Sequence, residues 1–217
     1  MRTYKVGRPV RTLATVRPVM GVYGLGQSFR TKLRYVQNVI LSSNAGAVGR
    51  NVFSPQNCFD PDVTGTGHQP MYFDQLTAVF NKYKVHGSKI KVSYNITTDS
   101  VTGGNCFAVG IIGGASTGIS SDPQTNMEDN HGVSTILNAR NSGFGQKSLY
   151  LTYAPMRDLG ISVNDDTLTT DVNTGAATYF WNVWCADLGS SGTTYVTVSV
   201  EIVYDIEFTD NKQINGS

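Results

Sequence analysis

The basic residues near the start of the chain have the clearest chemical potential. Nine of them precede the first acidic residue, Asp60: Arg2, Lys5, Arg8, Arg11, Arg17, Arg30, Lys32, Arg34 and Arg50. Residues 1–59 therefore carry a formal charge of +9, while residues 60–217 carry −8 from eight basic and sixteen acidic side chains. Lys and Arg bind phosphate groups by displacing condensed counterions, which requires charge density but no pocket. The charge split predicts that one end of the chain binds a polyanion.

The first thirty residues are predicted to form an extended, flexible arm, because Pro9 and Pro18 oppose a helix and several glycines oppose any fixed shape. The candidate nucleic-acid-binding residues are Arg2, Lys5, Arg8, Arg11, Arg17, Arg30, Lys32 and Arg34. The alternatives are a terminus that is basic by chance and an Arg-rich targeting leader. The basic bias continues to Arg50, beyond the point where a leader should end, and this favours nucleic acid.

Motifs of enzymes are not found in the sequence. Residues 145–148 end like a phosphate-binding loop, but Gly143 gives the wrong spacing for that motif. Neither H-E-x-x-H nor G-x-S-x-G occurs. The three histidines are far apart in predicted loop, strand and helix: His68, His86 and His131. The chain is predicted not to be an enzyme and to need no cofactor.

The cysteines and the acidic residues do not predict a metal site. Cys58, Cys106 and Cys185 are odd in number and widely spaced, which argues against a disulfide framework or a zinc site. A loop with Asp165, Asp166 and Asp171 offers oxygen ligands for Ca²⁺, but its sequence is also typical of a solvated turn. The turn is the favoured interpretation because the loop lacks the ligand spacing of an EF-hand.

Alternating apolar and polar residues predict the strands that position these side chains. The clearest alternation runs through residues 196–208, with one face buried and the other acidic. Further strands are predicted at residues 33–41, 83–97, 106–112, 149–153 and 179–185, with a bulge at His86-Gly87 where the alternation changes phase. Two short helices are predicted around residues 71–80 and 126–137. Trp181 and Trp184 have opposite parity, so one is expected in the core and the other under a loop or a neighbouring subunit.

These elements predict an all-β fold, an eight-stranded antiparallel jelly-roll sandwich with short helices in its loops. Two regions are expected: a basic arm over residues 1–30 and a single β domain over residues 31–217. The sequence predicts neither a membrane span nor a secretory signal, so the chain is expected to be soluble and intracellular when made.

Residues 67–95 resemble a segment of the single jelly-roll capsid proteins of circular Rep-encoding single-stranded DNA viruses. In that family an H-Q-P-x-x-x-D-Q run precedes a short helix and a strand of the form Y-x-V-x-x-S-K-I-x-V. The matching positions here are His68, Gln69, Pro70, Asp74, Gln75, Tyr83, Val85, Ser88, Lys89, Ile90 and Val92. Residues 128–160 resemble a later part of such proteins more weakly. The arm departs from the family, whose members often begin with dense runs of Arg.

The resemblance implies a coat protein that assembles into an icosahedral shell of about sixty copies. It also implies sequence-independent packaging of a single-stranded DNA genome through the arm, and a location in the virion, with assembly in the host nucleus or cytoplasm. No membrane partner is expected. The alternatives are a coat protein of a positive-strand RNA virus of tombusvirus type and a cellular β-sandwich lectin.

Overall fold

A computed structural model describes residues 28–64, 67–96, 106–138, 146–175, 177–189 and 193–212. The strands are β1 (Ser28–Asn44), β2 (Gly49–Phe53), β3 (Phe80–Asn95), β4 (Cys106–Gly114), β5 (Gly132–Asn138), β6 (Gln146–Tyr153), β7 (Thr169–Asp171), β8 (Phe180–Asp187) and β9 (Thr193–Asn211). The helices are α1 (Phe73–Thr77), α2 (Pro123–Glu128) and α3 (Pro155–Asp158).

The strands form two antiparallel sheets with the connectivity of a jelly roll. The first sheet has the order β1-β9-β3-β6, with the short β7 also paired to β3, and the second has the order β2-β8-β4-β5. Consecutive strands therefore alternate between the sheets at both ends of the chain, as in the two Greek keys of this fold. The predicted fold class is confirmed.

Strand β9 is the central element of the first sheet. It pairs with β1 from Ser28 to Asn44 on one side and with β3 from Phe80 to Asn95 on the other. Its even-numbered side chains from Val196 to Phe208 are wholly buried. The long alternation in the sequence thus corresponds to one strand whose inner side chains are buried in the core along most of its length.

The predicted bulge in β3 is present, since the pairing with β9 shifts register between Val85 and Gly87. Because of this shift, Tyr83 and Val85 face the core before the bulge, and Ile90 and Val92 face it afterwards. The hydroxyl of Ser88, next to the bulge, donates a hydrogen bond to the Pro55 carbonyl oxygen at 2.7 Å. The bulge keeps the apolar side chains of β3 on the inner side of the sheet both before and after it.

The two tryptophans lie on opposite sides of β8, as their parity predicts. Trp181 belongs to the main core between the sheets. Trp184 belongs to a smaller cluster on the other side of the second sheet, beneath Ile119 and Met127. Both indoles are fully buried, so β8 contributes a large apolar side chain to a buried cluster on each of its sides.

Some predicted boundaries are wrong. The helix predicted over residues 126–137 is α2 followed by β5, because β5 hydrogen-bonds to β4 and completes the second sheet. The helix predicted over residues 71–80 is only α1, since Phe80 already pairs with Asn211 of β9. The residues from Ser28 to Arg30, assigned to the arm, begin β1. The rest of the predicted arm lies outside the described residues.

Candidate nucleic-acid interface

The predicted phosphate-binding residues fall into two groups. Arg2, Lys5, Arg8, Arg11 and Arg17 lie outside the residues that the structure describes. Arg30, Lys32 and Arg34 lie on β1. Their side chains point away from the second sheet, because Leu33 and Tyr35 between them are buried in the core. We call the side of the β1-β9-β3-β6 sheet that faces away from the core the outer face.

Two of the three β1 residues are paired with carboxylates of β9. Arg30 makes a bidentate contact with Asp205: Nε donates to Oδ1 at 2.8 Å and Nη2 donates to Oδ2 at 2.7 Å. Arg34 Nη2 lies 2.9 Å from Glu201 Oε2. The hydrogen bond from Arg30 holds the pKa of the Asp205 carboxyl below its ordinary value. No described carboxylate lies within 4 Å of the Lys32 ammonium. The predicted basic strand is therefore partly neutralised.

Strand β3 adds basic residues to the same face that the sequence analysis did not identify. Lys82, Lys84, Lys89 and Lys91 pair across from Thr209, Glu207, Val203 and Glu201 of β9, and all of these point outward. The lysines have even numbers before the bulge and odd numbers after it, so no single alternation connects them. The bulge shifts the alternation by one residue and thereby places all four lysines on the same face. Phe80 and Tyr83, which face the core, fix which face this is.

The outer face is net basic, and the rest of the described domain is net acidic. The face carries seven basic side chains, from β1 and β3, and four acidic ones: Asp171, Glu201, Asp205 and Glu207. The remaining described residues carry four basic and eleven acidic side chains. The formal charges are thus +3 on the face and −7 elsewhere.

The basic charge of the face is unevenly compensated. At the Lys84 end, the ammonium donates to the carbonyl oxygens of Val163 and Asp165 at 3.3 and 3.4 Å. His86 Nε2 lies 2.8 Å from Glu207 Oε2 in the same region. Burial raises the pKa of the Glu207 carboxyl, but hydrogen bonds from His86 and Ser28 outweigh this, so its pKa is lowered. The polar groups named here are therefore bonded within the protein.

The other end of the face combines free lysines with an exposed aromatic ring. Lys91 lies directly across from Tyr150 of β6. The Lys89 ammonium lies over the Tyr150 ring, 5.0 Å from its centroid. Tyr150 is 48% exposed, and neither lysine has a described carboxylate within 4 Å. Charge and an accessible π surface occur together at this end.

The remaining candidate residues do not converge on one site. His68 packs its ring against Tyr35 with centroids 4.9 Å apart, and His131 contacts Asp129. Asp165 and Asp171 accept hydrogen bonds from the backbone N–H groups of Thr167 and Asn173, which is turn chemistry. Among the described residues, no group of three His, Cys, Asp or Glu side chains is placed to hold a metal ion.

A cleft of about 700 Å³ lies between the loop after β4 and the helices α2 and α3. Two pairs of its polar side chains contact each other: His131 with Asp129, and Arg157 with Asp158. Burial raises the pKa of the Cys58 thiol, and that of Cys185 to about 12, so neither is a thiolate nucleophile. None of the described helices is long and apolar enough to cross a membrane.

The capsid-like segment at residues 67–95 has a mainly structural role. Phe73 of α1 packs edge-on against Tyr83 with ring centroids 5.5 Å apart, and the Tyr83 hydroxyl donates to Asn57 Oδ1 at 3.2 Å. Ile90 and Val92 are wholly buried. Of the matching positions on β3, Lys89 is the one whose side chain is exposed on the outer face.

Comparison with known proteins gives matches of structure only. No protein-family model and no curated protein matches the chain. A structure of Desmodium yellow mottle tymovirus aligns with a TM-score of 0.42 and 13% identity, covering 93% of this chain and 99% of that one. A decameric BFDV capsid protein aligns with a TM-score of 0.43 and 8% identity, covering 83% and 99%. Similarities at this level do not assign the chain to a family.

Proposed function

We propose that this chain is a viral capsid protein that assembles into an icosahedral shell and packages a single-stranded genome. The observation that carries the proposal is the charge polarity of the jelly roll: one sheet face carries +3, the rest of the described domain carries −7, and residues 1–27 add five basic side chains and no acidic one. A shell wall needs such a polarity, because the surface that lines its interior meets phosphate groups and the surface that faces the surroundings meets water.

Exposed apolar side chains support self-assembly. Ile40 on the edge strand β1, Met71 before α1 and Met156 in α3 are 70%, 70% and 66% exposed. They lie in three separate parts of the subunit. A closed shell requires several different contacts on every subunit, and about sixty equivalent copies are the simplest closed arrangement.

The choice of DNA as the genome rests on the sequence resemblance of residues 67–95. The arm and the outer face bind phosphate groups, which DNA and RNA share, so the fold itself is compatible with either genome. Packaging is expected to be independent of nucleotide sequence, and the particle is expected to form in the host nucleus or cytoplasm.

Electron microscopy of the purified protein tests the proposal. Closed particles are expected, and nucleic acid extracted from them should be degraded by a nuclease specific for single-stranded DNA and resist ribonuclease. Ribonuclease-sensitive contents would instead indicate an RNA virus. A folded protein that remains monomeric on sizing chromatography across salt and pH would contradict a capsid and favour a lectin.

A further inference from the structure

We propose that Lys89, Lys91 and Tyr150 form a second contact for single-stranded nucleic acid, on the ordered sheet rather than on the arm. The inference rests on the proposed function and names a site within the domain. The lysines are expected to bind neighbouring phosphates, and the tyrosine ring is expected to stack on a base between them.

The position of the two lysines on β3 suits a phosphate chain. They are two residues apart on one strand and point to the same side, so their Cα atoms are separated by about 6.6 Å. Lys89 faces Val203 on β9, which brings no charge. Lys91 faces Glu201, but that carboxylate already lies 2.9 Å from Arg34. Both ammonium groups therefore keep attraction for an outside anion.

Among the described residues, the outward side chains of β6 beside the lysines include no carboxylate that would repel a phosphate. The outward residues of β6 beside the lysines are Ser148, Tyr150 and Thr152. Ser148 is hydrogen-bonded to Ser93 of β3 at 2.9 Å between hydroxyl oxygens, and Thr152 accepts from Arg157 Nη1 at 3.1 Å. Since β6 is an edge of the sheet, a strand of nucleic acid can approach the ring from outside the sheet.

The Tyr150 ring offers an exposed aromatic surface on which a base can stack. Aromatic side chains beside basic groups are the common means of binding single strands, because every base has a π face. The Lys89 ammonium covers one ring face at 5.0 Å. An exposed cation–π contact is weak, so a phosphate is expected to attract Lys89 and leave that ring face to a base.

Tyr195 provides a matched control. It lies on β9 of the same sheet, is 47% exposed and pairs with Ser42 of β1. Its parity places it on the outer face, but its described cross-strand partner is a serine and not a lysine. If binding depended on exposed aromatic surface in general, replacing either tyrosine should weaken it equally. If Tyr150 is a stacking site, only the replacement of Tyr150 should weaken binding.

The first experiment uses dissociated subunits of the full chain in which Arg2, Lys5, Arg8, Arg11 and Arg17 are replaced by Ala. An oligothymidylate carrying one 2-aminopurine base reports stacking by loss of its fluorescence. Binding is expected to quench the probe, and Tyr150→Ala should abolish the quenching, while Tyr150→Phe and Tyr195→Ala should retain it. Changing both Lys89 and Lys91 to Ala should reduce the slope of log affinity against log salt by about 1.4. Unchanged quenching in Tyr150→Ala, or an unchanged slope, would overturn the inference.

The second experiment uses ultraviolet cross-linking of particles that contain packaged nucleic acid. Trypsin releases residues 148–157, in which Tyr150 is exposed and Tyr153 is buried. A nucleotide adduct on Tyr150 is expected. Particles that package nucleic acid but carry no adduct on this peptide would contradict the inference and leave the proposed capsid function intact. Failure to form particles would contradict the capsid function, while probe quenching on subunits would still decide the inference.

Discussion

At the scale of single residues, whether a basic side chain is available to bind phosphate depends on its contacts across the sheet and not on its residue type alone. Arg30 and Arg34 resemble the basic residues of the arm in sequence, yet each contacts a carboxylate of β9. Lys89 and Lys91 lie in an ordinary-looking strand, yet they are the lysines of the outer face beside an exposed ring. The availability of a basic residue for phosphate therefore depends on its neighbour across the sheet.

The Arg30–Asp205 pair predicts a pH dependence of stability. The pKa of Asp205 is lowered in the folded chain, so its contribution is present above the unfolded pKa of about 3.9 and is lost as pH falls through the lower folded value. Asp205→Asn should reduce the free energy of unfolding at pH 7 by about 0.2–1 kcal/mol, the range for exposed ion pairs. Urea titration of dissociated subunits measures this.

At low pH the difference between Asp205→Asn and the parent should disappear. Asp210→Asn is the control, since Asp210 lies at the exposed end of the same strand and outside the described ion pairs. A loss in Asp205→Asn that is equally large at pH 2 and pH 7 would show that the pair does not stabilise the fold through its charge.

At the scale of elements, β8 separates two buried apolar clusters of different construction. Trp181 lies between the two sheets, where both walls are strands. Trp184 lies between the second sheet and a cover that includes Ile119 and Met127, from a loop and from the short α2. Covers made of loops and short helices open locally at lower free-energy cost than paired strands.

The two tryptophans should therefore differ in behaviour although both are buried. Trp181→Ala is expected to reduce the free energy of unfolding by about 3–5 kcal/mol, because a large cavity opens in the sheet-to-sheet core. Acrylamide should quench Trp184 in the Trp181→Phe variant more strongly than it quenches Trp181 in the Trp184→Phe variant. Equal quenching of the two indoles in assembled particles would contradict the separation into two layers.

At the scale of the whole molecule, basic side chains are concentrated in residues 1–27 and on the outer face, while the rest of the described domain is net acidic. With nine basic residues before Asp60, about sixty copies would supply on the order of 540 positive charges. Pairing of Arg30 and Arg34 with carboxylates lowers this supply. Encoding 217 residues alone requires 651 nucleotides, so the basic residues before Asp60 cannot by themselves neutralise a genome that carries this gene.

Replacing Arg2, Lys5, Arg8, Arg11 and Arg17 by Ala should yield particles that are empty or contain far less nucleic acid, because the counterion-release attraction of the arm is removed. The domain should remain folded, since these residues precede β1. The ratio of absorbance at 260 and 280 nm measures the packaged amount.

The matched control replaces Arg2, Arg8, Arg11 and Arg17 by Lys. It keeps the positive charge and should therefore keep packaging. Equal packaging by the Ala variant and the parent would show that the arm is not the main binding element.

Met71→Asp should prevent assembly without unfolding the subunit. Met71 and Tyr72 are 70% and 63% exposed, and Tyr72 is held in a left-handed conformation with φ of 71°. We expect this apolar pair on a strained turn to be a contact surface of the proposed shell, where a carboxylate buried in every copy would be costly. Sizing chromatography should show subunits for Met71→Asp and particles for Met71→Leu, and particles from both variants would exclude this turn from the contacts.

The sequence by itself determined the elements whose periodicity is long or whose charge is local. The alternation over residues 196–208, the bulge in β3 and the opposite sides of Trp181 and Trp184 follow from the two-residue period of a strand, which needs no knowledge of the partner. The charge split before Asp60 is likewise a property of the chain order.

Only the tertiary structure decided how the strands pair and, through that pairing, which charges remain available. Residues 133–137 read as helix until β4 supplies the hydrogen bonds that make β5 a strand. Arg30 and Asp205 are 175 residues apart in sequence, and Lys89 meets Tyr150 only through the register of β3 with β6. Cross-strand contacts depend on the register between distant segments, and no local pattern contains that register.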